Sequence, residues 1–461
     1  MLSQVTLILL VCCLSTSTIP ITIYKNAQFV PTNTNLKLAD QFSINSLNEC
    51  ACQCLNNSQC LTATYIGINK SCSMFSAQVK RSWLQIQTTI MDASVLTFSN
   101  ESLPVCSTYN FQQPPQLYTT GALPAVMISA DLNKDGHVDL AIGNYNGNSI
   151  SILLGIGNGS FQLPAISFPS NGSNPYWFVA HDFNNDGNID LAICNEGSNT
   201  ISILLGLGNG SFQLSVITFN SGGSAPSSII VVDVNNDYKA DLVVTNTGSY
   251  TITIFLGFNN GTFQVPGTSY AAGSSPSSIT SGDFNSDGNI DLAVVSRNSN
   301  QLLIFRGVGN GTFQTNVTSY TTGSVPYLVR TADFNGDSKL DLLVANSYSN
   351  TISIFTGTGV GTFVTSASAT YTTGIANTFD IAIQDLNGDL IMDLAVSNQY
   401  GNISVYFGYQ NGTFGGIKSY SSAGQLSKGI TITDFNEDGR PDLAIANGNS
   451  NTVAIILALC T

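Results

Sequence analysis

One nine-residue pattern recurs seven times in this chain, beginning at Asp131, Asp182, Asp233, Asp283, Asp333, Asp385 and Asp434. The steps between copies are 51, 51, 50, 50, 52 and 49 residues. So steady a period marks a repeat architecture, in which each copy is one supersecondary unit that buries its apolar face against its neighbours. The second copy reads Asp182-Phe183-Asn184-Asn185-Asp186-Gly187-Asn188-Ile189-Asp190 and runs straight into Leu191-Ala192-Ile193. Oxygen-bearing side chains fall at positions one, three, five and nine, and position seven would contribute its backbone carbonyl. Hard oxygen donors in a short, sharply turning loop suit Ca2+, which takes about 6–8 oxygens at roughly 2.3–2.6 Å.

On that reading the donors of the first loop are Asp131, Asn133, Asp135, His137 and Asp139, and those of the second are Asp182, Asn184, Asp186, Asn188 and Asp190. The third and fourth offer Asp233, Asn235, Asp237, Lys239 and Asp241, then Asp283, Asn285, Asp287, Asn289 and Asp291. The fifth and sixth offer Asp333, Asn335, Asp337, Lys339 and Asp341, then Asp385, Asn387, Asp389, Ile391 and Asp393. Asp434, Asn436, Asp438, Arg440 and Asp442 make up the seventh. The three aspartates of each loop make up 21 of the 28 acidic residues, so without a cation like charges crowd together. Each close pair costs about 4 kcal/mol at an effective dielectric near 20. The competing reading is a set of polar Asx turns between strands, for which Asp, Asn and Gly are the ordinary residues. Four loops keep a glycine at position six (Gly136, Gly187, Gly288, Gly439), where Tyr238, Ser338 and Leu390 stand in the others. If that position needs positive φ, the three substitutions carry strain. The expectation is four well-formed calcium sites and at most seven. An EF-hand is excluded, because position twelve is apolar (Ile142, Ile193) where that loop needs a bidentate Glu.

The rest of each copy is strand-like. An alternating stretch such as residues 227–232 enters the aspartate loop, and short apolar runs such as 242–244 and 251–256 follow it. A Gly/Asn turn and a phenylalanine then open a fourth run. Alternation, β-branched residues and Asn-Gly turns give four antiparallel strands per copy, and four strands per 50 residues make a propeller blade. The turn phenylalanine follows the first loop aspartate by 29 or 30 residues, which for the seventh copy falls beyond Thr461. Phe111, standing 20 residues ahead of Asp131, supplies the missing one. The stretch around residues 111–119 is therefore expected to complete blade seven, and repeat alignment then brings Cys106 beside Cys460 as a disulfide at the seam.

The aspartate loops, together with turns such as Gly155-Ile156-Gly157-Asn158-Gly159-Ser160-Phe161, resemble the FG-GAP repeats of integrin α-subunit propellers and the related VCBS repeats of secreted proteins. The resemblance implies Ca2+ bound by these loops on one face of a seven-bladed ring. Ahead of it, five cysteines (Cys50, Cys52, Cys54, Cys60, Cys72) follow a capping-box sequence at Ser46–Glu49 that predicts a helix from about Leu47. Residues 24–105 resemble a PAN/apple module, which implies the pairs Cys50–Cys72 and Cys54–Cys60. Cys52 and Cys194 are left over, paired with each other or free. The fold expected is thus mainly β: a seven-bladed propeller of four-stranded blades over residues 107–461, preceded by a small disulfide-rich α+β apple-like domain.

Residues 1–18 read as a secretory signal with a ten-residue apolar stretch, Val5 to Leu14, too short to span a membrane. The formal charge of −14 argues against nucleic acid and anionic membrane surfaces as partners. Five Asn-x-Ser/Thr sequons share one repeat position in the turns (Asn158, Asn209, Asn260, Asn310, Asn411), so some glycosylation is expected. Only His137 and His181 are present as histidines, and no Ser/His/Asp or Cys/His set suggests itself. The expected function is a secreted, monomeric, non-catalytic calcium-binding interaction or adhesion protein with an extracellular protein or glycan ligand. A lectin is the alternative, for which Tyr176, Trp177 and Tyr327 are candidate sugar contacts, and a polysaccharide-active enzyme the more distant one.

Overall fold

The computed structural model describes residues 109–460, apart from residue 215 and residues 373–377. N-terminal to these it describes the backbone of five short strands. Contacts divide the chain into Met1–Val105 and Cys106–Thr461. In the first unit Phe42–Ser43, Ser71–Phe75 and Thr62–Ile66 form a three-stranded sheet, and Trp83–Gln87 pairs with Val95–Ser99. The signal segment, the helix expected from Leu47 and the bridges among Cys50, Cys54, Cys60 and Cys72 lie outside the described residues, as does the Cys106–Cys460 bridge.

The second unit is seven four-stranded antiparallel sheets. Blade one runs Pro124–Ala130, Asp139–Asn144, Ser149–Leu153 and Ile166–Pro169 from the inside outward. The other inner strands are Pro175–His181, Pro226–Val232, Pro276–Gly282, Pro326–Ala332, Thr378–Gln384 and Ser427–Thr433. Each inner strand packs on the next, and that of blade seven packs on that of blade one, so the ring is closed. Every second strand is buried along its whole length. The reason is packing on both faces: Ala141, Ile150 and Ile152 of blade one, for example, meet Phe178, Leu191 and Ile193 of blade two. Strands covered on both sides read as short apolar runs, which is how the sequence presents them.

Closure follows the arithmetic of the turn phenylalanines. Gln116–Thr119 is the fourth strand of blade seven, with Thr119 opposite Thr452 and Gln116 opposite Ile455. Phe111 lies opposite Ala458, the counterpart of the Gly155–Phe161 bridge in blade one. Among the described residues the only helical element is a 3-10 turn, Gly448–Ser450.

Candidate metal centre

Each aspartate loop connects the inner strand of a blade to its second strand, so all seven stand at one end of the ring. Their conformation is set by backbone N–H groups bonding the loop's own side chains. In loop one the Asp131 carboxylate accepts the N–H groups of Asp135 and Gly136 at 3.2 and 3.0 Å. The Asn133 Oδ1 accepts the same Asp135 N–H at 2.9 Å, which places two donor oxygens side by side. Asp135 accepts the N–H of His137 at 2.8 Å and the Asn133 amide at 2.8 Å. Positions four and six are left-handed in every copy. At position six Tyr238, Ser338 and Leu390 have φ of 63°, 64° and 68°, so these three do sit where glycine is favoured. Loops five and six carry their glycine at position four instead (Gly336, Gly388).

Position nine behaves differently from the other acids. The Asp139 carboxylate is fully buried and accepts the N–H of Leu132 at 2.8 Å and that of Gly155 at 2.7 Å. It thus ties the loop to the turn at the end of the third strand. Asp190, Asp241, Asp291, Asp341, Asp393 and Asp442 repeat both bonds. Burial, with added repulsion from Asp135 and Asp131, pushes the Asp139 carboxyl up to about 6. Burial likewise pushes Asp393 and Asp442 to about 7. The sequence assigned this residue only as a ligand; its second task, clasping two backbone segments, is signalled by its place at the head of a wholly apolar strand.

Among the described residues no three His, Cys, Asp or Glu side chains form a metal cage by themselves. The loops instead combine carboxylate, amide and carbonyl oxygens, a hard all-oxygen donor set that fits Ca2+ rather than a softer metal. Position seven separates the loops further. Lys239 and Lys339 reach back to Asp237 and Asp337 at 3.0 and 3.2 Å, placing an ammonium on the acids that a cation would need. Arg440 stands 3.9 Å from Asp438, whereas loops one, two, four and six have neither lysine nor arginine at that position. The His137 ring bonds Glu437 of loop seven across the seam. His181 ends the inner strand of blade two with its ring tilted against Phe183. Cys194 is a free, fully buried thiol. At the turns, each recurring sequon folds so that the Asn side-chain oxygen accepts the Ser or Thr hydroxyl, at 2.7 Å for Asn158 and 2.6 Å for Asn260, Asn310 and Asn411.

Tyr176, Trp177 and Tyr327 are not displayed on loops between blades. They lie half-buried near the start of the inner strands, at the end of the central channel away from the aspartates.

The FG-GAP-like repeat matches six overlapping stretches: 131–193, 182–244, 233–294, 283–344, 333–396 and 385–445. The PAN domain matches residues 22–102. Among curated proteins none matches the chain. Among solved structures, BBS1N in its complex with ARL6DN is 15% identical, with a TM-score of 0.52 over 77% of this chain and 96% of that one. Chaetomium thermophilum Raptor is 13% identical, with a TM-score of 0.53 over 78% of this chain and 30% of that one. A lectin of Agrocybe aegerita is 16% identical, with a TM-score of 0.48 over 74% of this chain and 85% of that one. At such identities the first two share the fold alone. The repeat matches together span residues 131–445, more than half of the chain, and the chain therefore belongs to the FG-GAP-repeat family, with a PAN domain at its N-terminal end.

Proposed function

We propose that this is a secreted, monomeric, calcium-stabilised binding protein, whose aspartate loops take up Ca2+ and stiffen a propeller that presents its ends to an extracellular protein or glycan. The observation that carries this reading is the set of seven all-oxygen loops in which fully buried position-nine carboxylates sit close to two further acids. Bound calcium would neutralise that repulsion. The donors in the best-formed loops are the side chains of positions one, three, five and nine with the position-seven carbonyl. The non-catalytic part of the proposal rests on His137 being engaged by Glu437 and on burial pushing the Cys194 thiol well up, away from its nucleophilic form. Among the described residues no helix is long and apolar enough to cross a membrane.

Thermal unfolding of the secreted chain in Ca2+ and in chelator tests the proposal. One site at a hundredfold excess over its Kd adds about 2.7 kcal/mol, so several sites should raise Tm by more than about 5 °C. Equal melting in both buffers would leave the loops as plain Asx turns. A glycan reading is favoured by one further observation, the aromatic and cationic side chains at the opposite end of the channel.

A further inference from the structure

Two repeat positions meet at the channel end remote from the aspartate loops. One is the second residue of each inner strand: Ala125, Tyr176, Ser227, Ser277, Tyr327, Phe379 and Lys428. In blades one to six the pairing with the second strand skips this residue, and blade seven skips Lys428 and Gly429 together. Such a bulge re-aims a side chain out of the ladder. The other position directly follows the second strand and holds Tyr145, Glu196 and Arg297 in blades one, two and four.

The bulky members form a circuit across the axis. The Tyr145 and Tyr176 rings lie 6.0 Å apart. Tyr176 and Tyr327, from blades two and five, bond through their hydroxyls. Tyr327 meets Phe379 at 5.9 Å. The Lys428 ammonium lies 6.0 Å from the Phe379 ring and 5.4 Å from that of Tyr145, closing the loop. Arg297 lies 4.4 Å over Tyr327 and donates to the Tyr176 hydroxyl at 3.4 Å.

Charge is what this arrangement leaves unanswered. One tier deeper, Arg330 pairs with the buried Asp380 at 2.9 Å, and Glu196 accepts from the Tyr145 hydroxyl at 2.6 Å. Among the described residues neither Arg297 nor Lys428 has a carboxylate within ion-pair distance, and the buried Arg297 Nε has no hydrogen-bond partner. Taking cations out of water is costly unless they are paired. A chain of charge −14 has nevertheless assembled three cations against two acids here. Yet Tyr145, Tyr176, Glu196, Arg297, Phe379 and Lys428 all remain half-buried rather than sealed, so the group keeps a face toward solvent.

We propose that this end of the channel binds the uronate unit of an acidic carbohydrate. The carboxylate lies against Arg297 and Lys428, the pyranose ring against the tyrosine rings, and the sugar hydroxyls bond Glu196 and the tyrosine hydroxyls. The single surplus positive charge matches a monoanion, and a sugar's apolar ring face suits an aromatic platform. The proposal rests on the reading of the propeller as a binding module but needs no calcium, since the inner strand separates this site from the loops by roughly 17–20 Å.

The test is titration of the full chain with di- and trigalacturonate, with the neutral galactose counterparts and with an oligoglutamate peptide, each with Ca2+ and in chelator below the melting temperature. Uronates should bind in both buffers, at least tenfold tighter than the neutral sugars or the peptide. Lys428→Met and Arg297→Gln should each weaken this at least tenfold, and Lys428→Arg should largely restore it, with Tm confirming that every variant is folded. Equal binding by neutral sugars or by the peptide, or undiminished binding by folded Lys428→Met and Arg297→Gln proteins, would overturn the proposal. So would binding that vanishes in chelator while the fold persists, because the carboxylate would then be held by calcium at the other end. The melting comparison in Ca2+ and chelator fails or succeeds independently of all these outcomes.

Discussion

Asp139 and its six counterparts hold the loops together whether or not metal is present. Each accepts two backbone N–H groups in a buried setting, so replacing one oxygen by an NH2 group turns an acceptor into a donor facing a donor. Asp139→Asn should therefore lower the unfolding free energy in chelator by about 1–3 kcal/mol, read by urea titration. Asp131→Asn, at a partly exposed position, should cost less in chelator and show its loss chiefly as reduced Ca2+ uptake. The lysines at position seven make the opposite case. Lys239 and Lys339 place an ammonium on Asp237 and Asp337, so native mass spectrometry of the unaltered chain should find these two loops without Ca2+. The Lys239→Met/Lys339→Met protein should bind two ions more. Leu390 at φ 68° carries a left-handed conformation that costs a side-chain-bearing residue about 1–2 kcal/mol. Leu390→Gly should recover roughly 1 kcal/mol of stability, less the greater freedom glycine has when unfolded.

The loop as an element has an unusual acid response. The position-nine carboxyls are raised to about 6 or 7, so the folded chain holds their protons more tightly than the unfolded one. That stability is fully present below the unfolded value near 3.8 and is lost as pH climbs through about 6 to 7. Asp186 and Asp237 are held low and act in the other direction, but they are outnumbered. In chelator the protein should melt higher at pH 5 than at pH 7.5, and added Ca2+ should narrow or reverse the difference. These elements were the legible part of the chain, because a spacing repeated seven times averages out local noise. The strand order, the loop positions and the role of Phe111 all followed from it. The channel-end group was not legible, since its members come one or two per blade from positions where other copies hold Ser, Ala, Thr, Gln or Gly. Tyr176, Trp177 and Tyr327 stood out as exceptions to their columns, but only the skipped pairing at the start of the inner strands turns Tyr176 and Tyr327 toward one axis, while Trp177 stays in the ladder opposite Cys194.

Across the whole molecule, neighbouring blades are joined by more than apolar contact. The hydroxyls of Tyr118, Tyr270 and Tyr320 accept the N–H of the turn phenylalanine in the following blade, at 3.1, 3.1 and 2.9 Å. Tyr270→Phe should lower stability by about 0.5–1.5 kcal/mol without changing secondary structure. The seam carries the same joint through Tyr118, on a strand that lies more than 330 residues in sequence from its partner Thr452–Ile456. Such a link rewards the chain last, after nearly all other pairings exist. On a ribosome, residues 116–119 emerge among the earliest parts of the ring and must stay unpaired until the seventh sheet has been made. The half-built circle therefore spends its synthesis with a bare edge at each end, open to a neighbour in the same condition. Joining of two nascent chains edge to edge is the error this design invites, and slowing translation near residue 450 should increase it.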